Sequence, residues 1–223
     1  MDADARITQS WLDNASAWVQ AVRAGLIPSR RAGTDAAIVE AVVATQPKSV
    51  LDAGCGEGWL ARVLARHGIE VTGIDGSERL IERAREAGDA RFLHISYDQF
   101  TAHPHDAGSA FDAVVFNFSL FAEDIIPVLR AAGHVLRPGG RLFIQTVHPF
   151  NDARDERYED GWREENFASM SGDFRTPMPW YFRTMQSWTG AVTAAGFQLE
   201  ALREPVNAET GRPLSLIIMA RAA

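Results

Sequence analysis

The stretch VLDAGCGEGWLA, residues 50 to 61, places Gly54, Gly56 and Gly58 within five positions, between an apolar run and a helical pattern. A strand that passes through a glycine-rich turn into a helix offers free backbone amides and positive potential to a ligand. The same turn also serves tight packing alone in folds of this kind. The stretch therefore predicts a ligand close to the backbone, with a purely structural turn as the alternative.

Outward from this stretch, short apolar runs alternate with amphipathic ones. Five runs are predicted to be strands: KSVLD, EVTGID, ARFLHIS, FDAVVFNF and GRLFIQTV. The first two intervals, GWLARVLARHG and SERLIERAREAG, have helical spacing and end at glycines. The segment AEDIIPVLRAAGHVL is predicted to be a further helix. Near-continuous apolar strands separated by helices indicate a parallel sheet covered on both faces. We predict an α/β, doubly wound, Rossmann-like sheet.

The regions on either side of this core have a different character. The chain is predicted to form one domain over residues 1–223, with a helical leader at 1–46 and the core at 47–149. An insert at 150–183 has no clear period but is rich in aromatic residues, which favours a lid over a disordered segment. A terminal helix and a strand pair are expected within 184–223.

Local signals predict where several elements begin. Pro127 fits only the first turn of a helix, so that helix should start close to Asp124. The leader's second helix should be capped by Thr34 or Asp35. The sequence RPGG at 137–140 predicts a turn before the fifth strand.

Composition narrows the class of protein. The 223 residues are 46% hydrophobic and 23% charged, with a formal net charge of −7, which argues against a nucleic-acid partner. The single cysteine, Cys55, suits a reducing compartment. The acidic start MDADARITQSW lacks a signal peptide's build, and no apolar run approaches the roughly 20 residues that span a bilayer. We therefore expect a cytoplasmic protein without a membrane span.

Two carboxylates near the glycine stretch indicate the kind of ligand. A dinucleotide fingerprint would place its third glycine where this chain has Trp59, and Asp52 at the strand end would sit poorly beside a pyrophosphate but well beside an ammonium group. Asp75 lies 21 residues after Gly54, where an acidic side chain typically accepts hydrogen bonds from ribose hydroxyls. Its alternative role is a helix cap. Together these residues predict a nucleoside that carries an amino-acid tail.

Four blocks in this order resemble the class I S-adenosylmethionine-dependent methyltransferases, in particular small-molecule enzymes similar to those of ubiquinone and menaquinone biosynthesis. The blocks are VLDAGCGEGWLA, VTGID, FDAVVFNFSL and VLRPGGRLFI, within roughly residues 30 to 150. The resemblance implies a seven-stranded sheet with a reversed terminal hairpin. It also implies S-adenosylmethionine as cofactor, S-adenosylhomocysteine as product, a small-molecule acceptor and no metal.

The resemblance also assigns roles to residues of the cofactor site. Asp52 would orient the methionine amino end and Asp75 the ribose. The other implied contacts are Ala53, Gly54, Cys55 and Gly56 along the tail, Gly76 and Ser77 beside the adenine, and Asn117 and Phe118 beside the sulfonium. Many relatives have an acidic residue at the position of Tyr97, so the adenine contact is expected to shift to Asp98 or to become stacking. Arg30 or Arg31 would meet the cofactor carboxylate, the alternative being a solvated helix start.

The remaining candidates concern the reaction and the acceptor. His148 ends the fifth strand at the edge where open α/β sheets bind ligands, and it is our candidate general base, with a structural histidine as the alternative. Trp180, Tyr181 and Arg183 are predicted to build the acceptor pocket, or else to pack the insert onto the sheet. The alternative functions are a nicotinamide-dependent oxidoreductase on a similar fold and a non-catalytic nucleoside-binding protein.

Overall fold

The structure, a computed structural model, describes residues 2–152, 157–168 and 170–222. Seven strands form the main sheet: β1 (Ser49–Ala53), β2 (Glu70–Asp75), β3 (Arg91–His94), β4 (Phe111–Asn117), β5 (Leu136–Val147), β8 (Phe197–Arg203) and β9 (Ser215–Ala222). Two more, β6 (Gly161–Glu165) and β7 (Met178–Phe182), form a separate antiparallel pair. The α-helices are α1 (Ala3–Arg23), α2 (Asp35–Val43), α3 (Trp59–Arg66), α4 (Glu78–Ala87), α5 (Tyr97–Ala102), α6 (Ile126–Val135), α7 (Pro149–Asp152) and α8 (Met185–Ala194).

The strand order is β3-β2-β1-β4-β5-β9-β8, in which β9 runs antiparallel to both of its neighbours and the other pairs are parallel. This confirms the predicted doubly wound sheet and its reversed terminal hairpin. Because β1, β2 and β4 are parallel neighbours, their carboxyl ends meet at one edge of the sheet. That edge carries the candidate site.

Each face of the sheet has its own hydrophobic core. On one face, Phe100 of α5, Leu129 of α6 and Trp188 of α8 are buried against the strands. On the other, Ile38 of α2 and Leu60 of α3 belong to a second buried cluster. These two layers explain why the central strands read as continuous apolar runs, since side chains on both faces lose contact with water.

Several element ends differ from the prediction. The RPGG segment lies within β5, which begins at Leu136, and the pairing with β4 shifts register between Phe111 and Ala113. The predicted turn before the strand was therefore wrong: the glycine-rich residues form an irregularity inside it. Helix α2 does start at Asp35, but neither of its predicted caps makes a side-chain capping bond, because a π-helical turn at Arg30–Thr34 precedes it.

The insert contains structure that its sequence pattern did not reveal. Strands β6 and β7 pair in register from Gly161 with Phe182 to Glu165 with Met178. Three of the five residues of β6 (GWREE) are charged, and β7 (MPWYF) contains a proline, so neither has the pattern of a buried strand. Helix α5 was also unpredicted, although Ser96 and Gln99 form a capping box at its start. No helix in the described part of the chain is long and apolar enough to cross a membrane.

Candidate functional site

The structure gives different reasons for glycine at each of the three positions after β1. A Cβ atom on Gly54 would lie 2.5 Å from Cβ of Ser119, and one on Gly58 would lie 2.7 Å from the ring of Phe92. Packing therefore accounts for these two positions. Gly56 has a φ of +55° and nothing within 4 Å of an added Cβ. Of the three, Gly56 is thus the one whose missing side chain leaves open space beside the loop.

Asp52, at the end of β1, is an unusual buried carboxylate. Its side chain is 1% exposed, and Oδ2 has no hydrogen-bond partner among the described residues. Burial, together with the nearby charge of Asp75, raises the pKa of Asp52 to about 7. A buried acceptor without a partner is costly, so a ligand that brings a hydrogen-bond donor or a positive charge would stabilise this group.

Asp75, at the end of β2, connects residues 54–58, which we call the glycine loop, to the start of α4. Its Oδ2 accepts a hydrogen bond of 2.9 Å from the Gly56 amide, and its Oδ1 accepts one of 2.8 Å from the Ser77 amide. Burial raises the pKa of Asp75, and the two amides oppose that shift. Each oxygen uses one lone pair in these bonds, which leaves acceptor capacity for two ligand hydroxyls. Ser77 itself caps α4 through the Leu80 amide.

Tyr97 lies against the glycine loop. Its hydroxyl donates a hydrogen bond of 3.1 Å to the carbonyl oxygen of Ala53, and Ser119 Oγ donates one of 3.0 Å to the same oxygen. Burial raises the pKa of the Tyr97 hydroxyl. Asp98, the next residue, is exposed in the first turn of α5. Tyr97 is thus a neighbour of the glycine loop, and so is Ser119, which the sequence analysis missed.

The end of β4 is strained and partly unsatisfied. Phe118 has a φ of +51°, a left-handed conformation that costs energy for a residue with a large side chain. Its amide nevertheless donates a hydrogen bond of 2.8 Å to the carbonyl oxygen of Gln145 on β5. The Oδ1 atom of Asn117 is buried and has no partner among the described residues. Strain of this kind clusters at binding sites.

The structure distinguishes the two leader arginines. The Arg30 guanidinium stacks over the ring of Trp59, 4.2 Å from its centroid, and Nε lies 2.8 Å from Oδ1 of Asp35. Trp59 begins α3 directly after the glycine loop. Arg31 is exposed. Of these two candidates, Arg30 is therefore the one that contacts the residue following the loop. Arg23 of α1, which the sequence analysis did not consider, also reaches the loop, because its Nε lies 2.7 Å from Oε2 of Glu57.

His148 is buried at the end of β5 and both of its ring nitrogens are engaged. Nε2 lies 2.7 Å from Oε1 of Glu204, and Nδ1 accepts a hydrogen bond of 3.2 Å from the Phe150 amide. A neutral ring in this arrangement carries its proton on Nε2 and donates it to Glu204. A general-base role would require one of the two contacts to open.

The three predicted acceptor-pocket residues have different surroundings. Tyr181 joins the insert to the loop after β4, because its amide donates a hydrogen bond of 2.8 Å to the carbonyl oxygen of Phe121. Trp180 is half-buried within β7. Arg183 is 4% exposed and donates to the carbonyl oxygens of Ala122 and Glu123. The guanidinium thus stabilises the loop after β4 through its hydrogen bonds to that backbone.

The leader helix is held against the insert. Asn14 of α1 is fully buried; its Nδ2 donates a 2.7 Å hydrogen bond to the carbonyl oxygen of Thr176, and its Oδ1 accepts one of 2.8 Å from the Arg175 amide. Ser10 Oγ donates to the same Thr176 carbonyl at 2.9 Å. Around these bonds the aromatic rings of α1 and the insert pack together. In the sequence, this packing face of α1 is indicated by the helical spacing of Trp11 and Trp18.

In the described part of the chain, no group of three or more His, Cys, Asp or Glu residues is arranged to hold a metal ion. His103 and His105 are both exposed. Burial raises the pKa of the Cys55 thiol well above its usual value, so this cysteine is a poor nucleophile in the structure.

Comparison with known proteins gives a family match over most of the chain. A family model described as a methyltransferase domain matches residues 30–202. The ubiquinone biosynthesis O-methyltransferase of Aeromonas salmonicida (strain A449) is 38% identical over 104 residues, which are 45% of this chain and 44% of that relative. The chain spans less than half of the length of the curated relatives that it matches first.

Solved structures share the fold. A putative S-adenosylmethionine-dependent methyltransferase from Listeria monocytogenes has a TM-score of 0.65 at 22% identity, covering 84% of this chain and 99% of the other. The 1,6-didemethyltoxoflavin-N1-methyltransferase of Burkholderia thailandensis, with bound 1,6-didemethyltoxoflavin and S-adenosylhomocysteine, has a TM-score of 0.67 at 18% identity. The alignment covers 99% of this chain and 88% of that enzyme's chain. At these identities the likeness concerns the fold.

Proposed function

The chain belongs to the methyltransferase-domain family, and we propose that it transfers the methyl group of S-adenosylmethionine to a small-molecule acceptor. The observation that carries the cofactor assignment is the group of polar atoms at the carboxyl ends of β1 and β2. There, the buried Oδ2 of Asp52 has no hydrogen-bond partner among the described residues, and the carboxylate of Asp75 binds the amide of Gly56, where an added Cβ would meet open space.

The donor groups of this cofactor fit these residues. An ammonium group would give the buried Asp52 carboxylate the positive partner that it lacks, which offsets its desolvation. Ribose hydroxyls would use the free lone pairs of Asp75. Backbone of Ala53, Gly54 and Cys55 would line the tail, and Gly76 would lie beside the adenine. Ser77 and Asp98 are assigned to the adenine end, and Tyr97 would stack there while its hydroxyl stays bonded to Ala53.

The carboxylate end of the cofactor is assigned to Arg30. Its guanidinium already lies next to the loop by stacking on Trp59, and its bond to Asp35 holds it there. Asn117 and Phe118 would flank the sulfonium, since both stand where β4 ends at the ligand edge of the sheet. The electron-rich ring face of an aromatic side chain there attracts a positive charge.

Bound S-adenosylmethionine would supply an already activated methyl group, so the protein's main tasks are alignment and exclusion of water. Well-oriented reactants recover roughly 7–11 kcal/mol of a barrier. The strained backbone at Phe118 and the fixed loop at Asp75 are the rigid parts that alignment requires. The leader and the insert at 150–183, joined through Asn14, would close over the acceptor.

A dedicated base is needed only for acceptors that must lose a proton. His148 remains our candidate for that role, and it would act after its bond to Phe150 opens. Trp180 and Tyr181 are assigned to the region of the acceptor pocket. Arg183 contributes by holding the loop that carries Phe121, since its donors bind that loop's carbonyls.

We also propose that the protein is cytoplasmic, because its single cysteine suits a reducing compartment. Its net charge of −7 supports a function without a nucleic-acid partner. The competing function is a nicotinamide-dependent oxidoreductase. Calorimetric titration of the purified chain with S-adenosylmethionine, S-adenosylhomocysteine and NAD separates the two. We expect micromolar binding of the first two ligands and none of NAD; binding of NAD alone would overturn the proposal.

A further inference from the structure

An aromatic wall stands between the leader helix and the insert. We give this name to Trp11, Trp18, Phe121, Phe167 and Phe174. Trp11 stacks on Trp18 with ring centroids 5.0 Å apart, and it lies 5.8 Å from the ring of Phe121. Phe174 meets Trp18 edge-on at 5.1 Å and stacks on Phe167 at 4.8 Å. Rings from three separate parts of the chain thus form one contiguous apolar surface.

The aromatic wall lies beside the end of β4. Phe121 follows the strained Phe118 by three residues, and its carbonyl oxygen is bonded to the Tyr181 amide of β7. The α1 end of the wall is held by the bonds between Asn14 and the segment just before β7. The wall is therefore fixed next to the residues that we assign to the sulfonium, which is where an acceptor must sit.

Four of the five rings are incompletely buried. Trp11, Trp18, Phe121 and Phe174 are half-buried, whereas Phe167 is 4% exposed. Aromatic faces that remain accessible at a binding edge favour a flat apolar partner, because stacked and edge-on ring contacts stabilise beyond their buried area. The wall thus indicates the shape of the acceptor but not its charge.

Carboxylates on the same elements indicate the charge. Asp4 lies seven residues before Trp11 on α1, hence on the same side of the helix. Burial raises the pKa of Asp4, and the charges of Asp2, Asp98 and Glu123 add to the shift, so these groups lie near one another. Glu123 follows Phe121 in the loop after β4.

Several basic side chains of these elements are paired with carboxylates. Arg6 of α1 is paired with Glu164 at 2.9 Å, Arg23 with the buried Glu57 at 2.7 Å, and Arg175 of the insert with Asp173. Arg183 binds backbone carbonyls and keeps its positive charge near Glu123. The carboxylates of Asp2, Asp4, Asp98 and Glu123 outnumber this cation, so the field near Asp4 is negative and complements a positively charged occupant.

We propose that the methyl acceptor is a flat ring compound with an ammonium group: the ring packs on the aromatic wall, and the ammonium group faces Asp4 and Glu123 and its nitrogen is not the atom that receives the methyl group. This inference rests on the proposed function and names its substrate class. An aromatic face attracts a cation as well as a ring, so both features of the wall act on the same ligand. An anionic ligand of the same shape would be repelled by the carboxylates.

The test uses two probes with the same ring and opposite charge. Tryptamine and indole-3-acetate are titrated calorimetrically into the chain saturated with S-adenosylhomocysteine. We expect tryptamine to bind more tightly by about tenfold or more, from cation–π attraction and the exposed carboxylates together. Trp11→Leu and Phe121→Leu should each weaken tryptamine binding about fivefold or more, and the double variant D4N/E123Q should reduce the preference below about threefold.

Controls match each change. Leu202→Ala removes an apolar side chain that is 44% exposed on β8, outside the aromatic wall, and Glu209→Gln removes an exposed charge beyond β8; both should leave the preference unchanged. Retained binding of S-adenosylhomocysteine shows that a variant is folded. Equal binding of the two probes, a preference for the anion, or no binding of either to the saturated chain would overturn the inference. Failure of S-adenosylhomocysteine itself to bind would instead overturn the proposed function.

Discussion

Nη2 of Arg183 donates a hydrogen bond of 2.8 Å to the carbonyl oxygen of Glu123, which is 60 residues earlier in the chain. The same nitrogen also donates to the carbonyl oxygen of Ala122, and the guanidinium lies 5.1 Å from the ring centroids of both Tyr181 and Trp188. Burial lowers the pKa of Arg183 to about 10, so the group is still charged at neutral pH. One buried cation therefore joins the insert to the loop after β4.

Replacing Arg183 by Met should destabilise the chain. The substitution leaves carbonyls of the loop without a donor, and we expect the free energy of unfolding to fall by about 1–3 kcal/mol. Arg183→Lys should lose less, since it retains a charged donor. Urea unfolding measures both variants beside Arg212→Met, an exposed control. Equal stability of the Arg183→Met and control variants would contradict this role.

The glycine substitutions should separate stability from binding. Gly58 also has a left-handed φ of +78°, and Gly58→Ala places a methyl group 2.7 Å from the Phe92 ring, so we expect both effects to lower the free energy of unfolding by about 2–5 kcal/mol. Gly56→Ala meets no neighbouring atom. Its cost is the left-handed backbone alone, about 1–2 kcal/mol.

The binding readout distinguishes the same two variants. We expect Gly56→Ala to lose affinity for S-adenosylhomocysteine, because its methyl group enters the open space beside the loop. Gly58→Ala, where folded, should retain that affinity. Calorimetry at matched folded concentration checks this, and unchanged affinity of the Gly56→Ala variant would count against the ligand's placement.

Asp52 should make stability depend on pH. Burial raises its pKa from 3.8 to about 7 in the folded chain. Between these two values the unfolded chain loses a proton that the folded chain keeps, so the free energy of unfolding falls as pH rises. Asp52→Asn removes this contribution. Urea unfolding at pH 5 and pH 8, without ligand, should show a smaller decrease for the variant; an equal or larger decrease would show that Asp52 ionises normally.

His148 should matter to stability more than to cofactor binding. His148→Ala removes the partners of the Phe150 amide and of Glu204, and we expect a loss of about 1–3 kcal/mol in the free energy of unfolding. Affinity for S-adenosylhomocysteine should remain within about twofold, since the histidine is not assigned to the cofactor. A large loss of affinity with normal stability would place His148 at the cofactor instead.

The sheet was predictable from the sequence because its signal is local. Apolar runs identify β1, β2 and β4, and glycines mark the ends of the helices between them. Parallel pairing of β1 with β2 then brings Asp52 and Asp75 to one edge of the sheet. The fifth strand was predicted with a wrong beginning, since an irregularity at RPGG resembles a turn in sequence.

Contacts between distant segments were not predictable in this way. No local pattern indicates that Tyr97 and Ser119 both bind the Ala53 carbonyl, or that Arg183 supports the loop after β4. The hairpin of β6 and β7 was not predicted because three of the five residues of β6 are charged and β7 contains a proline. The glycine at position 54 was attributed to a nearby ligand alone, whereas Ser119 occupies the space that a Cβ atom there would need.

The most direct test of the account is the affinity of the Asp75→Ala variant for S-adenosylhomocysteine, measured by calorimetry beside the wild-type chain and Glu78→Ala, an exposed control on α4. Hydrogen bonds to a charged group contribute about 1.5–3 kcal/mol each, so we expect Asp75→Ala to weaken binding at least about tenfold and the control to leave it unchanged. Wild-type affinity in a folded Asp75→Ala variant would contradict the placement of the cofactor at this carboxylate.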